Sequence, residues 1–115
     1  MIKDFDLFKR TFTKYQEGFG LLGYTVYLKY EPIESGEFAN ITVSQDEMVA
    51  TVRLNSKLGK EDKQFKHVEL SAKHEATHLL LNRLEYLARC RYYIGSDDIS
   101  EECESLVNKL CRLIP

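Results

Sequence analysis

The hydrophobic period of this chain changes twice, and that change limits its fold more than any other feature. Phe5, Phe8, Phe12, Tyr15 and Phe19 recur at alternating steps of three and four with polar residues between them, the spacing of one helical face. Residues 3–19 are therefore expected to form an amphipathic helix, ended by Gly18, Gly20 and Gly23. The period then drops to two. Tyr24, Val26, Leu28 and Tyr30 alternate with Thr25, Tyr27 and Lys29, which predicts a strand over 24–30. Two further runs, 38–43 and 48–54, flank Ser44-Gln45-Asp46-Glu47, a polar tetrapeptide suited to a hairpin loop. Pro32 and Gly36 mark an irregular connection between the first strand and the second.

Beyond Asn55 and Gly59 the helical period returns. A segment rich in Leu, Ala, Glu, Lys and Arg runs from about residue 61 into the low nineties, where Gly95 closes it. The tail 99–114 puts Ile99, Cys103, Leu106, Val107, Leu110 and Ile114 on one stripe, with capping residues over 96–100. The order is helix, three strands, helix, helix. It predicts an α+β domain with a three-stranded, mostly antiparallel sheet and helices against one face. At 115 residues the chain is read as one domain, 1–115, because halves would be too small to bury a core.

Composition narrows the function classes. A formal net charge of -2, from 16 basic and 18 acidic side chains, gives no electrostatic footprint for a polyanion, so nucleic acid is not an expected partner. No apolar run reaches the roughly 18 residues of a membrane span. The acidic start Met1-Ile2-Lys3-Asp4-Phe5-Asp6 is no export signal. A soluble, cytoplasmic protein with no membrane partner is the expectation. Cys90, Cys103 and Cys111 are odd in number with no C-x-x-C spacing, and are read as buried small hydrophobes in a reducing compartment.

The chemistry is concentrated in His74-Glu75-Ala76-Thr77-His78. Histidines four apart on a helix stand about 5 to 6 Å apart at Cβ on one face, so both imidazoles can reach one zinc ion. Glu75, about a quarter-turn away, misses the ion yet can hold a water beside it and take its proton as that water attacks a carbonyl. Zinc supports this by lowering the water's pKa towards about 7. Leu79, Leu80, Leu81, Leu84 and Leu87 give the same helix an apolar flank that anchors it in a core.

Catalytic zinc is usually held by three protein ligands. No histidine follows the motif, so the third is expected to be a carboxylate among Glu101, Glu102 and Glu104. On a wheel of about 100° per residue the stripe of the last helix centres near Cys103 and Leu110. Glu102 and Glu104 lie at its edges and Glu101 nearly opposite, which leaves the first two open. His67 stands about 10 Å along the axis from His74 and cannot share its ion. Tyr92 and Tyr93 are possible hydrogen-bond donors to an oxyanion, although such tyrosines more often pack with the hydroxyl at the surface.

With a His-Glu-x-x-His helix, a glutamate on the next helix and a sheet before them, the chain resembles a zincin metallopeptidase of the gluzincin type. The resemblance is specific over about forty residues, 71–110, and the first half of the chain matches by element order alone. It implies a minimal zincin-like domain in which His74 and His78 bind zinc, Glu75 is the general base, and a peptide or protein is the substrate. The run Glu104-Ser105-Leu106-Val107-Asn108-Lys109-Leu110 is also similar to the tail of small stand-alone zincin-like proteins of phages and prophages, and this likeness makes Glu104 the implied third ligand. The chain departs from the thermolysin-like branch in lacking an Asn-Glu-x-x-Ser-Asp signature, and from metzincins in lacking a Met-turn or third histidine. In zincins an edge strand pairs with the substrate backbone, a role open here to 38–43 or 48–54. The alternative reading, from a different class, is a zinc-stabilised interaction or regulatory module that cuts nothing.

Overall fold

The computed structural model describes residues 2–57, 67–90, 95–111 and 113. Three helices and three strands follow one another as α1 (Ile2–Gly18), β1 (Thr25–Glu31), β2 (Ala39–Ser44), β3 (Val49–Asn55), α2 (Val68–Arg89) and α3 (Ser96–Cys111). The class is α+β, as the periods predict. Each strand lies one residue later than its sequence pattern. The expected start of α2 near residue 61 falls outside the described residues.

The aromatic stripe of α1 explains its position. Phe8, Phe12 and Phe19 are buried, and Phe5 stacks on Tyr30 of β1 with ring centroids 5.4 Å apart. Burying aromatic rings of this size supplies much of the driving force for docking the helix. Gln16, also buried, donates through Nε2 to the carbonyls of Leu21 and Tyr24 at 3.1 and 3.3 Å. Those bonds satisfy backbone acceptors in the turn where Gly20 takes a positive φ of 73°, a conformation that glycine adopts without a Cβ clash.

The sheet order is β1-β3-β2. The β2–β3 hairpin is antiparallel, with Thr42 opposite Thr51, while β1 pairs with β3 in parallel, with Tyr27 opposite Thr51. One pairing of each kind makes the sheet mixed, where a mostly antiparallel one was expected. The cause lies in residues 32–38, a connection long enough to carry the chain past β3 instead of folding β2 directly onto β1. Buried Asn55 pins that connection: its Nδ2 donates to the carbonyl of Glu37 at 2.8 Å, and its Oδ1 accepts from the N–H groups of Ile33 and Lys57. Central β3 buries Ala50, Val52 and Leu54 against the helices. On the solvent face Arg53 reaches across to Glu31 at 2.7 Å and Thr42 at 3.4 Å.

Helix α2 packs on α1, β2 and α3. Ala72 and Ala76, fully buried and small, permit close approach of neighbouring backbone, and Leu79 and Leu80 fill the core beside them. Among the described residues no helix is long and apolar enough to cross a membrane. Two cysteines differ from expectation: Cys90, at the C-cap of α2, is half-buried, and Cys103 is exposed because α3 is rotated so that Glu102 and Leu106 face inward in place of the Cys103–Leu110 line; the side chain of Cys111 lies outside the described residues.

Candidate metal centre

The packing of α2 decides which of its side chains reach solvent. With Val68, Ala72, Ala76, Leu79, Leu80 and Leu87 turned inward, His74 and His78 stand on the outer face, within about 40° of each other on the helix. Both are exposed. Their Nε2 atoms lie 3.1 Å apart, with ring centroids at 4.8 Å and planes at 77°. Two nitrogens bound at about 2.0 to 2.1 Å to one tetrahedral zinc ion stand about 3.3 Å apart. The pair therefore fits a shared metal ion with little adjustment, and both nitrogens are accessible to it.

Glu75 sits differently. Among the described residues it and Glu102 are the two buried charged side chains, Glu75 at 6% exposure, on the flank of α2 between the histidines and the inward-facing Leu79. Burial penalises its charged form and raises its carboxyl above the ordinary range. His74 and His78 act in the opposite direction, and Glu37 adds to the rise. A carboxyl adjusted upward in this way is a stronger base.

A polar clamp fixes the sheet beside these residues. Gln45, in the β2–β3 turn, accepts through Oε1 from Tyr24 Oη at 2.6 Å and from Asn82 Nδ2 of α2 at 2.8 Å. One helical turn further, Tyr86 donates to Asp46 at 2.8 Å, and that bond pushes its phenol up to about 12. The turn itself is tight, with Met48 at a positive φ of 57°. Sequence reasoning read this tetrapeptide only as a loop. The available signal was Asn82, a poor helix former placed four residues after His78 and hence on its stripe.

Held this way, β2 forms an edge of the sheet next to His78, and β3 is its centre. That resolves which of the two candidate strands has a free side. The bond from the Asn55 N–H to the Phe38 carbonyl at 2.8 Å sets the phase of the hairpin. Alternation then turns the N–H and C=O groups of Ala39, Ile41 and Val43 to the open edge. A groove of about 270 Å³ separates this edge from α2, lined by Ile41, Thr42, Val43, His78, Asn82, Glu85 and Arg89. A second depression of about 270 Å³, largely apolar, lies on the other side of the histidines between Leu70 and Leu81.

The carboxylates proposed as third ligands are placed elsewhere. Glu102 is buried and pairs with Arg83 Nε at 3.1 Å; Arg83 is nine residues after His74, on the opposite side of α2. Glu101 and Glu104 are exposed on α3. Among the described residues no three His, Cys, Asp or Glu side chains form a group that could hold a metal ion. The structure thus brings together His74, His78 and Glu75 and does not bring Glu104 to them. His67 stands at the N-cap of α2, and Tyr92 and Tyr93 lie outside the described residues.

No protein-family model matches the chain, and no curated protein matches it. Among solved structures it is similar to the crystal structure of the metallopeptidase zymogen of Methanocaldococcus jannaschii jannalysin, with a TM-score of 0.43 and 15% identity over 90% of this chain and 96% of that one.

Proposed function

We propose that this chain is a zinc-dependent peptidase in which His74 and His78 hold the metal and Glu75 is the general base. The observation that carries the reading is the convergence of the two Nε2 atoms to 3.1 Å with a buried carboxylate on the adjacent residue. When bound, zinc polarises a substrate carbonyl and acidifies water. Glu75 accepts the proton of the attacking water at its carboxylate and returns it to the leaving amine. Its burial excludes competing solvent and raises its basicity, so the proton is taken up readily and released within one turnover. The open edge at Ala39, Ile41 and Val43 offers alternating donors and acceptors to an extended backbone, which supports a substrate path running beside His78.

A carboxylate is proposed for the third ligand position, with Glu104 as first candidate. Because that side chain is exposed on α3, its recruitment is tested by zinc affinity: Glu104→Ala weakens binding if it ligates and leaves it unchanged if it does not.

The test of function is Glu75→Gln. The variant should keep one zinc per chain while cleavage of a peptide library falls by about 10² to 10⁴; cleavage at the wild-type rate would remove the mechanism. Zinc retained by a wild type that neither cuts peptides nor binds a hydroxamate probe would identify a zinc-stabilised interaction module instead.

A further inference from the structure

The two depressions that meet at His78 differ in character. On the side of Leu70 and Leu81 the lining is apolar, and both leucines are exposed, at 63% and 36%. On the β2 side it is polar, with Asn82, Glu85 and Arg89 following His78 along one stripe of α2. Asn82 donates through Nδ2 to Gln45, and no bond to its Oδ1 occurs among the described residues, which leaves an acceptor on the groove lining. Glu85 stands two turns beyond His78, and its carboxylate adds a second acceptor. Asp46, held by Tyr86, puts a further carboxylate at that end of the molecule.

Among the described residues Arg89 is the one Lys or Arg in this lining. Its side chain is 78% exposed and meets Glu85 at 3.5 Å in an i,i+4 pair. Pairs of that kind are weak because solvent screens them and both side chains are mobile, so Glu85 can exchange Arg89 for another cation at little cost. From His78 to Glu85 the helix rises about 10 Å, and an extended peptide covers that distance in about three residues.

We infer that the groove between β2 and α2 selects a lysine or arginine side chain two to three residues from the cleaved bond, bound by Glu85 and Asn82 Oδ1. This rests on the peptidase reading for the position of the cleaved bond, and on the groove's own geometry for the charge preference.

The experiment uses two zinc-loaded proteins, Glu75→Gln and Glu75→Gln with Glu85→Lys, and three fluorescent peptides identical except for Lys, Ala or Glu at the selected position. Dissociation constants are read by anisotropy, so binding is measured without cleavage. The single variant should bind the Lys peptide at least tenfold more tightly than the Glu peptide, and Glu85→Lys should reverse that order while retaining zinc. Equal affinities for all three peptides, or a preference that Glu85→Lys leaves unchanged, would overturn the inference. The wild type is assayed in parallel for cleavage of the same peptides. If it cuts none, the peptidase reading falls, while the anisotropy ratio still decides the charge preference of the groove.

Discussion

Helices α2 and α3 each carry an apolar flank, yet they use it in opposite ways. In α2 most of the apolar flank goes inward, burying Ala72, Ala76, Leu79, Leu80 and Leu87 while Leu81 stays at the surface, and the histidines are left outside as a consequence. In α3 the apolar line through Cys103 and Leu110 is turned out: Val107 is 51% exposed, and Leu110 and Ile99 are exposed as well. What goes in is Glu102 and Leu106, about a quarter-turn away. The difference teaches that a period fixes which residues share a face, while the partners that a helix meets fix which face turns inward. On α3 those partners include Arg83, whose guanidinium holds Glu102 at 3.1 Å.

The sharpest way to break this contrast is to truncate one residue on each helix. Leu79→Ala removes a side chain with no solvent exposure and should cost about 2 to 5 kcal/mol, the range for a buried leucine whose site cannot fully collapse. Val107→Ala on the outward face of α3 should stay within about 0.5 kcal/mol. Urea unfolding of both variants measures the difference, and similar losses would show that α3 buries its apolar line in solution.

A smaller effect sharpens the account of α3. Glu102→Gln keeps the shape of the side chain and removes its charge. Arg83 is half-exposed and stays solvated, so the loss should be about 1 kcal/mol, that of a single hydrogen bond to a charged partner in a partly wet setting. No change in unfolding midpoint would mean that Leu106 alone sets the rotation of the helix.

The same division explains what could be read from the residues alone. The aromatic stripe of α1, the three strands and the i,i+4 geometry of His74 and His78 depend on neighbours close in sequence, and the structure places them within a residue or two. The parallel pairing of β1 with β3 was not legible, because partner choice depends on where residues 32–38 cross, a matter settled by Asn55 at the far end of another strand. Nor was the clamp of Gln45 on Tyr24 and Asn82, whose members lie 21 and 37 residues apart. Glu102 was read as an edge residue because the stripe was centred on Cys103 and Leu110; its burial is matched by a cation from a different helix. The third ligand belongs to this second class. Helical spacing leaves Glu102 and Glu104 open and only the resemblance implies Glu104, whereas bringing a carboxylate to His74 and His78 is a tertiary event that helical period cannot specify.

The central claim is that His74 and His78 together grip one divalent ion, and zinc titration of metal-free protein tests it most directly. Wild type and Glu75→Gln should each take up one equivalent, and the double variant His74→Ala, His78→Ala should take up none. A wild type that binds no zinc at saturating metal, or a double variant that binds it as tightly as the wild type, would contradict the account.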